Sequence, residues 1–326
     1  MRHIEFSVIT PVYNSFHLME KYFESLEKQT FKNFEIIIID DCSEDKSYQK
    51  LMNYKLKSKL NIKILKNEKN KGPGEARNYG LKAVEGKWIT FIDNDDWIVE
   101  DFFERIYFKL YQGKSNIDCL IFDYYIQRKG KIKGVGKSII NGQIGQVSLS
   151  ICLKYMTNHT AGKVYNSEII KKYKIKFPDF RRSEDVVFNM RAIKYCKKIY
   201  YLGEPLYCYC QRDNSVSNNS KLDERYIVEA YRIIKKEYSN HYEMELKEKS
   251  LKDLLYGGVL MMCKAKKNNR VILEYIMNYE KEYPECYSLD ILYKLGKIKY
   301  FYILCIKYRF INVLKFLTYI HTKLIK

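Results

Sequence analysis

The sequence predicts an α/β protein with a doubly wound, mostly parallel sheet, followed by a helical C-terminal region. Short apolar runs alternate with amphipathic segments in the first part of the chain, and the pattern beyond Leu222 is almost wholly helical. The run Phe34–Ile39 contains four consecutive isoleucines. A strand of that kind is buried on both faces, which is typical of a parallel sheet covered by helices. We place a domain boundary near residue 220, so that residues 1–220 form the sheet domain and residues 221–326 the helical region.

The predicted elements follow in order along the chain. Apolar runs predict strands at residues 6–10, 34–39, 61–65, 88–92 and 119–122. Helical spacing predicts helices at residues 15–29, 74–86 and 183–196, while residues 129–148 have a looser β or loop pattern. Residues 198–212 look like a strand pair that turns at Gly203-Glu-Pro205.

Composition narrows the class of protein. The chain has 326 residues, of which 46% are hydrophobic and 15% aromatic, so intrinsic disorder is excluded. The excess of 58 Lys and Arg over 39 Asp and Glu suits a polyanionic partner or an anionic lipid surface. The cysteines form no C-x-x-C pair and the histidines no H-E-x-x-H, so no zinc site is predicted. The sequence has no long apolar run and no signal-peptide pattern, so we expect an intracellular protein.

The sharpest local feature is the acidic sequence Asp93-Asn94-Asp95-Asp96, directly after the fourth predicted strand. Carboxylates brought together in a crevice repel one another and favour a cation, and carboxylate oxygens suit Mg²⁺ or Mn²⁺. The alternative is an acidic turn whose side chains cap the next helix.

Two further polar segments follow other strands. Asp40-Asp41 ends the second strand, and the segment from Asn70 to Asn78 contains Gly72, Gly74 and Arg77 at the start of a helix. Glycines allow backbone N–H groups to approach an anion, and arginine binds phosphate through a rigid fork. The segment lacks the third glycine of a dinucleotide motif and the G-K-[ST] of a P-loop. Because ligands of doubly wound sheets bind beyond the carboxyl ends of the strands, these segments predict one binding crevice.

Together these segments resemble the successive signatures of family 2 glycosyltransferases. The matching segments are SVITPVYN (7–14), IDDCS (39–43), NKGPGEARN (70–78), FIDNDD (91–96) and the pair Glu184-Asp185. The resemblance covers residues 6 to about 190 and departs from the family at Cys42, where glycine is usual. It implies a GT-A fold, a UDP-sugar donor, a Mn²⁺ or Mg²⁺ ion, and inversion at the anomeric carbon.

The resemblance also implies a donor site. Pro11 and Tyr13 would lie against the base of the nucleotide, and Asp41 would hydrogen-bond that base. Arg77 would lie near the nucleotide and its phosphates.

The same resemblance implies a metal site in the acidic motif. Asp95 would ligate the metal, and Asp93 would contact the ribose or the metal and its water. Asn94 belongs to the same donor-binding motif. Arg212 lies in a segment similar to the family's loop after the last strand, which closes over the diphosphate.

Ser183-Glu184-Asp185 resembles the family motif whose aspartate is the usual base, so Asp185 is the predicted catalytic base. Glu184 would bind the acceptor or tune the pKa of Asp185. His159 and Lys163 lie in a segment similar to the one that lines the acceptor side, and we expect them to contact acceptor oxygens. Without the resemblance, acidic residues after Ser183 would indicate ordinary helix capping.

The end of the chain is basic. After Asp290 it contains eight cations and no acidic residue, and six of the cations fall within about 120° on a helical wheel. The opposite face collects an apolar stripe that includes Ile303, Ile306, Phe310, Val313 and Leu314. This pattern predicts either an interfacial helix on anionic lipid or a helix that packs its stripe on the protein or on another subunit. A break at Gly296 would give two shorter helices.

The predicted function is an inverting, metal-dependent glycosyltransferase. It would move a hexose or N-acetylhexosamine from a UDP-sugar to a hydroxyl of a surface glycan, such as a capsule or lipopolysaccharide, on a lipid-linked acceptor. We expect a cytoplasmic protein, peripheral on the inner face of the cell membrane, in which the helical C-terminal region could also mediate homo-oligomer formation. Two alternatives are a basic nucleic-acid-binding protein, although the sequence has no nucleic-acid-binding motif, and a nucleotide-binding scaffold without turnover.

Overall fold

The computed structural model describes residues 4–112, 116–140, 142–180, 182–212, 225–238 and 241–324. The chain divides into two compact units, Met1–Asp213 and Asn214–Lys326. The predicted boundary near residue 220 lies outside the described residues.

The first unit is built on one mixed sheet. Its central order is β3-β2-β1-β4-β9-β6-β10-β5, with β7 paired to β6 and β8 paired to β10. The strands are β1 (Phe6–Val12), β2 (Phe34–Asp40), β3 (Ile62–Lys66), β4 (Trp88–Phe91), β5 (Trp97–Ile98), β6 (Cys119–Arg128), β7 (Lys131–Gly136), β8 (Gly145–Val147), β9 (Lys163–Asn166) and β10 (Ile199–Gln211). Strands β3, β2, β1 and β4 are mutually parallel, whereas β9 is antiparallel to both β4 and β6. The predicted α/β class is confirmed, and its continuous parallel part is the first half of the sheet.

Among the described residues of this unit, seven segments are α-helices. They are α1 (Glu20–Glu27), α2 (Ser47–Lys57), α3 (Pro73–Leu81), α4 (Phe102–Tyr111), α5 (Leu149–Tyr155), α6 (Ser167–Lys172) and α7 (Glu184–Lys194). The predicted helix at 15–29 is shorter, because a 3₁₀ turn at Phe16–Leu18 precedes it. The helix predicted to reach residue 86 ends at Leu81, and Gly86 instead lies so close to β1 that a Cβ would be 2.7 Å from the carbonyl carbon of Phe6.

The predicted strand pair at residues 198–212 is wrong. These residues form the single long strand β10, which pairs with β6 with register shifts between Tyr201 and Tyr207. Gly203 has a φ of +71°, so the glycine and proline that predicted a turn form an irregularity within one strand.

The isoleucine run explains how the sheet is covered. Ile36, Ile37, Ile38 and Ile39 are all 0% exposed, as expected for a strand with helices on both faces. Glu35, in the same strand, is also buried, and it is paired with Lys63 at 2.7 Å and accepts from the backbone N–H of Glu85 at 2.8 Å. A buried carboxylate is tolerated because it has these partners.

The second unit is helical, as predicted. Its helices are α8 (Arg225–Glu237), α9 (Glu243–Ser250), α10 (Val259–Lys264), α11 (Asn269–Glu282), α12 (Leu289–Leu292), α13 (Lys297–Lys307) and α14 (Ile311–Leu324), and a π-helical segment (Leu251–Gly258) joins α9 to α10. Within the described part of the chain, no helix is long and apolar enough to span a membrane.

The basic end of the chain forms two helices, α13 and α14, that pack on each other. Gly296, with a φ of +76°, precedes α13 and breaks the helical pattern where the sequence suggested. The predicted apolar stripe does not remain on one surface: Ile303, Ile306 and Leu314 are buried, whereas Phe310 and Val313 are exposed. A single helical wheel placed them together because it ignored the break at residues 308–310.

Candidate active site

Three parallel strands, β1, β2 and β4, end at the same edge of the sheet, and the predicted donor residues follow them. Pro11 lies within β1 and is half-buried, and Tyr13 follows that strand with 41% of its surface exposed. Asp41 follows β2 directly, and Asp93 comes two residues after β4. The strand register therefore brings the predicted polar segments to one edge.

Asp41 holds the loop that leads into α3. Its buried carboxylate accepts hydrogen bonds from the Asn67 side chain at 2.6 Å, the Lys71 backbone N–H at 3.1 Å and the Gly72 backbone N–H at 2.7 Å. Gly72 precedes the first residue of α3 with a φ of +88°. The carboxylate and this glycine together fix the turn from which α3 begins.

Cys42, next to Asp41, has a φ of +61°. Only glycine adopts this left-handed region without cost, because a Cβ crowds the backbone there. The turn after β2 therefore has the backbone conformation that favours glycine, although the residue is cysteine.

Arg77 is the centre of a buried ion-pair cluster. Its Nη2 donates to Asp93 Oδ1 at 2.8 Å, and its Nη1 donates to Asp185 Oδ1 at 3.1 Å and Glu184 Oε1 at 3.3 Å. The side chain of Arg77 is only 5% exposed, and its guanidinium lies 5.5 Å from the centre of the Phe177 ring. One guanidinium therefore brings together a carboxylate from the turn after β4 and two from the first turn of α7.

The absence of a side chain at Gly74 makes this cluster possible. A Cβ at Gly74 would lie 2.9 Å from Glu184 Cγ and 3.3 Å from Phe177 Cβ. The sequence suggested that this glycine allows an anion to approach the backbone. In the structure it allows the first turn of α7 to approach α3.

Burial and charge act against each other in this cluster. The pKa of Glu184 is raised to about 7, first by burial and then by the charge of Asp185, while Arg77 opposes the change. Burial likewise raises the pKa of Asp185, and Arg77 opposes the change. Although burial disfavours its charge, the pKa of Arg77 is raised because Asp185, Asp93 and Glu184 surround it.

The acidic turn after β4 separates into residues with different partners. Asn94 donates to Ser15 Oγ at 2.6 Å, and Asp95 is bonded to the guanidinium of Arg212. Asp96 is buried and accepts from Tyr207 Oη at 2.5 Å and from the Cys210 backbone N–H at 2.7 Å, so it holds β10 in place. Burial, followed by the charge of Asp93, raises the pKa of Asp95.

The loop before β9 lies against Asp185. The Thr160 backbone N–H lies 3.4 Å from Asp185 Oδ2. Lys163 is fully buried, and its ammonium group donates to the backbone carbonyl of His159 at 2.6 Å. Burial, with the nearby charge of Lys163, lowers the pKa of His159 to about 3, so its imidazole is neutral.

The sequence profile described as glycosyl transferase family 2 matches residues 7–174, more than half of the chain. The chain belongs to this family. Its curated relatives include the poly(ribitol-phosphate) beta-N-acetylglucosaminyltransferase TarS of Staphylococcus aureus, 30% identical over 73% of this chain and 41% of TarS. A poly(ribitol-phosphate) beta-glucosyltransferase of Bacillus spizizenii is 30% identical over 63% of this chain and 32% of that protein. The chain therefore spans less than half the length of these relatives.

Two further similarities extend the family relationship. The UDP-Glc:alpha-D-GlcNAc-diphosphoundecaprenol beta-1,3-glucosyltransferase WfgD of Escherichia coli is 36% identical over 39% of this chain and 49% of WfgD. A crystal structure of S. aureus TarS residues 1–349 in complex with UDP-GlcNAc has a TM-score of 0.76 at 23% identity, covering 98% of this chain and 92% of that one. The fold is thus the GT-A fold of family 2, followed by a helical region.

The structure brings several of the predicted site residues into contact and separates others. Arg77, Asp93, Glu184 and Asp185 form one cluster, and Asp95 contacts Arg212. Asp41 lies apart from this cluster and is connected to it through the loop before α3.

Three predicted site residues bond within the protein. Both terminal nitrogens of Arg77 bind carboxylates. Lys163 is 0% exposed and bonds to the backbone of its own loop. The Nε2 atom of His159 is buried without a hydrogen-bond partner among the described residues, and its Nδ1 lies 2.9 Å from the Ala161 carbonyl oxygen.

Sequence reasoning missed the residues that support the cluster from behind. Phe177 stacks on Phe188 of α7, with 4.1 Å between ring centroids, and Tyr165 donates to Asn189 at 2.6 Å. Phe188 and Tyr165 lie within segments that resemble the family, but no supporting role followed for them from the sequence, because aromatic residues at strand and helix spacing indicate only a core.

The carboxylates of the acidic turn suit a divalent cation. No group of three or more His, Cys, Asp and Glu side chains within the described ranges is arranged around a metal position. However, Asp93 is 40% exposed. The burial of Asp95, together with the charge of Asp93, destabilises the ionised form of Asp95. Mg²⁺ sites commonly use one or two carboxylates and complete their shell with phosphates and water. Asp95 and Asp93 fit that donor set, and Arg212 supplies the positive charge at Asp95 in this structure.

Proposed function

We propose that this chain is an inverting glycosyltransferase that moves a hexose or N-acetylhexosamine from a UDP-sugar to a hydroxyl of a surface glycan. The observation that carries this proposal is the convergence of Asp93, Glu184 and Asp185 on the buried Arg77. These carboxylates come from segments about 90 residues apart, yet they meet at the sheet edge where ligands of such folds bind.

Asp185 is the proposed general base. Its side chain is 25% exposed, so an acceptor hydroxyl can reach it, whereas Glu184 at 7% is largely enclosed. Arg77 opposes the effect of burial on the pKa of Asp185, and a buried carboxylate with a raised pKa is a stronger proton acceptor than an exposed one. The proton of the acceptor hydroxyl would pass to Asp185 as the oxygen attacks the anomeric carbon.

The donor would bind on the other side of Arg77. Tyr13 and Pro11 would face the base, and Asp41 would accept a hydrogen bond from it while holding the loop before α3. Asp95, with Asp93, would hold Mn²⁺ or Mg²⁺, which would supply positive charge for the departing diphosphate. Arg212 would leave Asp95 and face the diphosphate instead.

The relatives support the choice of donor and acceptor. Their names specify N-acetylglucosaminyl and glucosyl transfer, and one specifies UDP-Glc. The acceptors in those names are a poly(ribitol-phosphate) and a diphosphoundecaprenol-linked sugar, both of which carry phosphate. A strongly basic chain suits such an acceptor.

Calorimetry with UDP, in the presence and absence of Mn²⁺, tests the donor site. We expect binding that depends on the metal and that Asp95→Ala weakens strongly. Glu68→Ala, at an exposed position in the neighbouring loop, is the matched control. Metal-independent binding of equal strength in both variants would contradict the proposed site.

Donor hydrolysis with UDP-Glc, UDP-Gal, UDP-GlcNAc and UDP-GalNAc would then identify the sugar. Asp185→Asn keeps the size of the side chain but replaces one carboxylate oxygen with an NH2 group, and so removes the base. We expect UDP affinity to be retained and turnover to fall by about 10²-fold or more. Turnover within twofold of the parent would exclude Asp185 as the base.

We further propose that the acceptor is lipid-linked and that the enzyme works as a peripheral protein at the inner face of the cell membrane. The outward faces of α13 and α14 are apolar: Phe301, Phe316 and Tyr319 are 50%, 63% and 57% exposed. Basic residues accompany these side chains, and no acidic residue follows Asp290. Exposed aromatic residues beside lysines are typical of a surface that binds anionic lipid.

Sedimentation with vesicles of phosphatidylglycerol and phosphatidylcholine tests this surface. We expect the parent protein to sediment and Phe301→Ser/Phe316→Ser to remain in solution at unchanged UDP affinity. Phe108→Ser removes an equally exposed phenylalanine from α4 and is the matched control. Equal sedimentation of all three proteins would contradict the proposal, and loss of sedimentation accompanied by a change from dimer to monomer would indicate contact with a second copy instead.

A further inference from the structure

Lys163, at the start of β9, is a fully buried cation. Its side chain is 0% exposed, and its Nζ donates to the His159 carbonyl oxygen at 2.6 Å and lies 3.5 Å from the Ala161 carbonyl oxygen. Burying an ammonium group is costly unless it is well bonded. The loop of residues 158–161 therefore bends around this ammonium, with two carbonyl groups directed inward.

A second set of bonds holds the same loop from α7. The Asn189 side-chain amide donates to the carbonyl oxygens of Asn158 at 2.6 Å and His159 at 3.1 Å. Asn189 is in turn held by Tyr165, whose hydroxyl donates to Asn189 Oδ1 at 2.6 Å. Asn189 and Asp185 lie on the same helix, so the loop is fixed relative to the helix that carries the base.

The loop contacts the base at one point. Between the two carbonyl groups that face Lys163 lies Thr160, whose backbone N–H is directed at Asp185 Oδ2 at 3.4 Å. The other carboxylate oxygen of Asp185 accepts from Arg77. The orientation of the carboxylate thus depends on Arg77 on one side and on the position of this loop on the other.

We propose that Lys163 is a positioning residue, whose buried ammonium holds the 158–161 loop so that Thr160 orients the base Asp185. This inference rests on the proposed role of Asp185. Lys163 acts through the loop and touches no substrate, so it replaces the acceptor contact that the sequence suggested for it.

Lys163 also contributes charge. The charged groups that face Asp185 are Arg77 from α3, Asp93 after β4, Glu184 on its own helix and Lys163 from β9. Arg77 and Lys163 lower the pKa of Asp185, and Asp93 raises it. Removing the positive charge of Lys163 would therefore shift the ionisation of the base to higher pH.

The test compares the pH dependence of kcat/KM in full-length variants. We expect Lys163→Met to lower kcat by about 10- to 100-fold, the size of effect that a displaced reacting group produces. The donor KM should stay within about twofold, and the acidic limb of the profile should move to higher pH, because the base loses a cation. Lys171→Met is the matched control: Lys171 also donates to a backbone carbonyl, that of Val84 at 3.0 Å, but lies away from the site.

Asn189→Ala separates position from charge. It loosens the same loop but leaves the charge of Lys163, so we expect a lower kcat with the acidic limb unmoved. Kinetics of Lys163→Met close to those of the Lys171→Met control would overturn the proposal. If Lys163→Met does not fold, an unchanged kcat in Asn189→Ala would overturn it. If the parent protein itself neither binds UDP nor turns over a UDP-sugar, the proposed function is refuted instead.

Discussion

Glu184 provides a stability test of the buried cluster. Its side chain is 7% exposed and shares Arg77 with two other carboxylates. Burial, followed by the charge of Asp185, raises its pKa from 4.5 to about 7. Glu184→Gln keeps the shape of the side chain and removes the charge, so it measures what ionisation of Glu184 costs the folded state.

The direction in which stability changes with pH follows from the pKa of this carboxyl group in the unfolded and in the folded state. Between pH 4.5 and about 7 the unfolded chain has released the proton that the folded protein retains, so stability falls as the pH rises through this range. A shift of this size corresponds to about 3 kcal/mol at pH 8. This figure already contains the attraction of Arg77, because the pKa of about 7 is the net result of burial, Asp185 and Arg77.

We therefore expect Glu184→Gln to stabilise the protein by about 3 kcal/mol at pH 8, which raises Tm by about 6–12 °C for a unit of this size. At pH 5 the unfolded chain is only partly ionised at Glu184, so the variant should gain much less than at pH 8. Thermal unfolding by circular dichroism at both pH values measures the difference, with Glu44→Gln at an exposed position as the control. An equal gain at both pH values, or a loss of stability at pH 8, would refute the reasoning.

Three further predictions concern the turn after β2 and the acidic turn. Cys42→Gly should raise the free energy of unfolding by about 1 kcal/mol, measured by urea denaturation, because a φ of +61° strains any residue with a Cβ; no change would mean that the turn is unstrained. Asp41→Ala should cost about 1–3 kcal/mol, because the N–H of Gly72 loses its acceptor, and UDP binding measured by calorimetry should weaken with it. Arg212→Ala should tighten the binding of Mn²⁺ alone to the acidic turn by about 1 kcal/mol, since Asp95 loses a competing cation. Unchanged or weaker Mn²⁺ binding, followed by electron paramagnetic resonance, would contradict this competition.

Much of the sheet could be predicted because its signal is local. Four consecutive isoleucines in β2 indicate a strand that is covered on both faces, and the structure confirms this. The second half of the sheet was harder to predict, because strand β9 pairs with β4 and β6, which are distant from it in the sequence. The turn predicted at Gly203 and Pro205 was wrong for a different reason, since the same residue types mark both a hairpin turn and an irregularity within one strand.

In the candidate site, too, local features could be predicted and contacts between distant segments could not. Sequence motifs identified Asp93 and Asp185 separately, but not that Arg77 joins them, because Arg77 and Asp185 are 108 residues apart. Their contact depends on Gly74, where any side chain would collide with Glu184. A local pattern cannot distinguish a glycine that admits a ligand from one that admits a neighbouring helix, since both require only the absence of a Cβ.

The cluster around Arg77 is best understood as a balance between two opposing requirements of a general base. Burial raises the pKa of Asp185 and so favours the protonated carboxyl group, which cannot act as a base. An arginine beside a fully solvated carboxylate would have the opposite effect and would weaken its affinity for the acceptor proton. Here both act on one group: Asp185 is partly enclosed, and Arg77 and Lys163 partly compensate for that enclosure. A site of this kind should therefore be more sensitive to loss of either cation than to any change in the exposed residues around it.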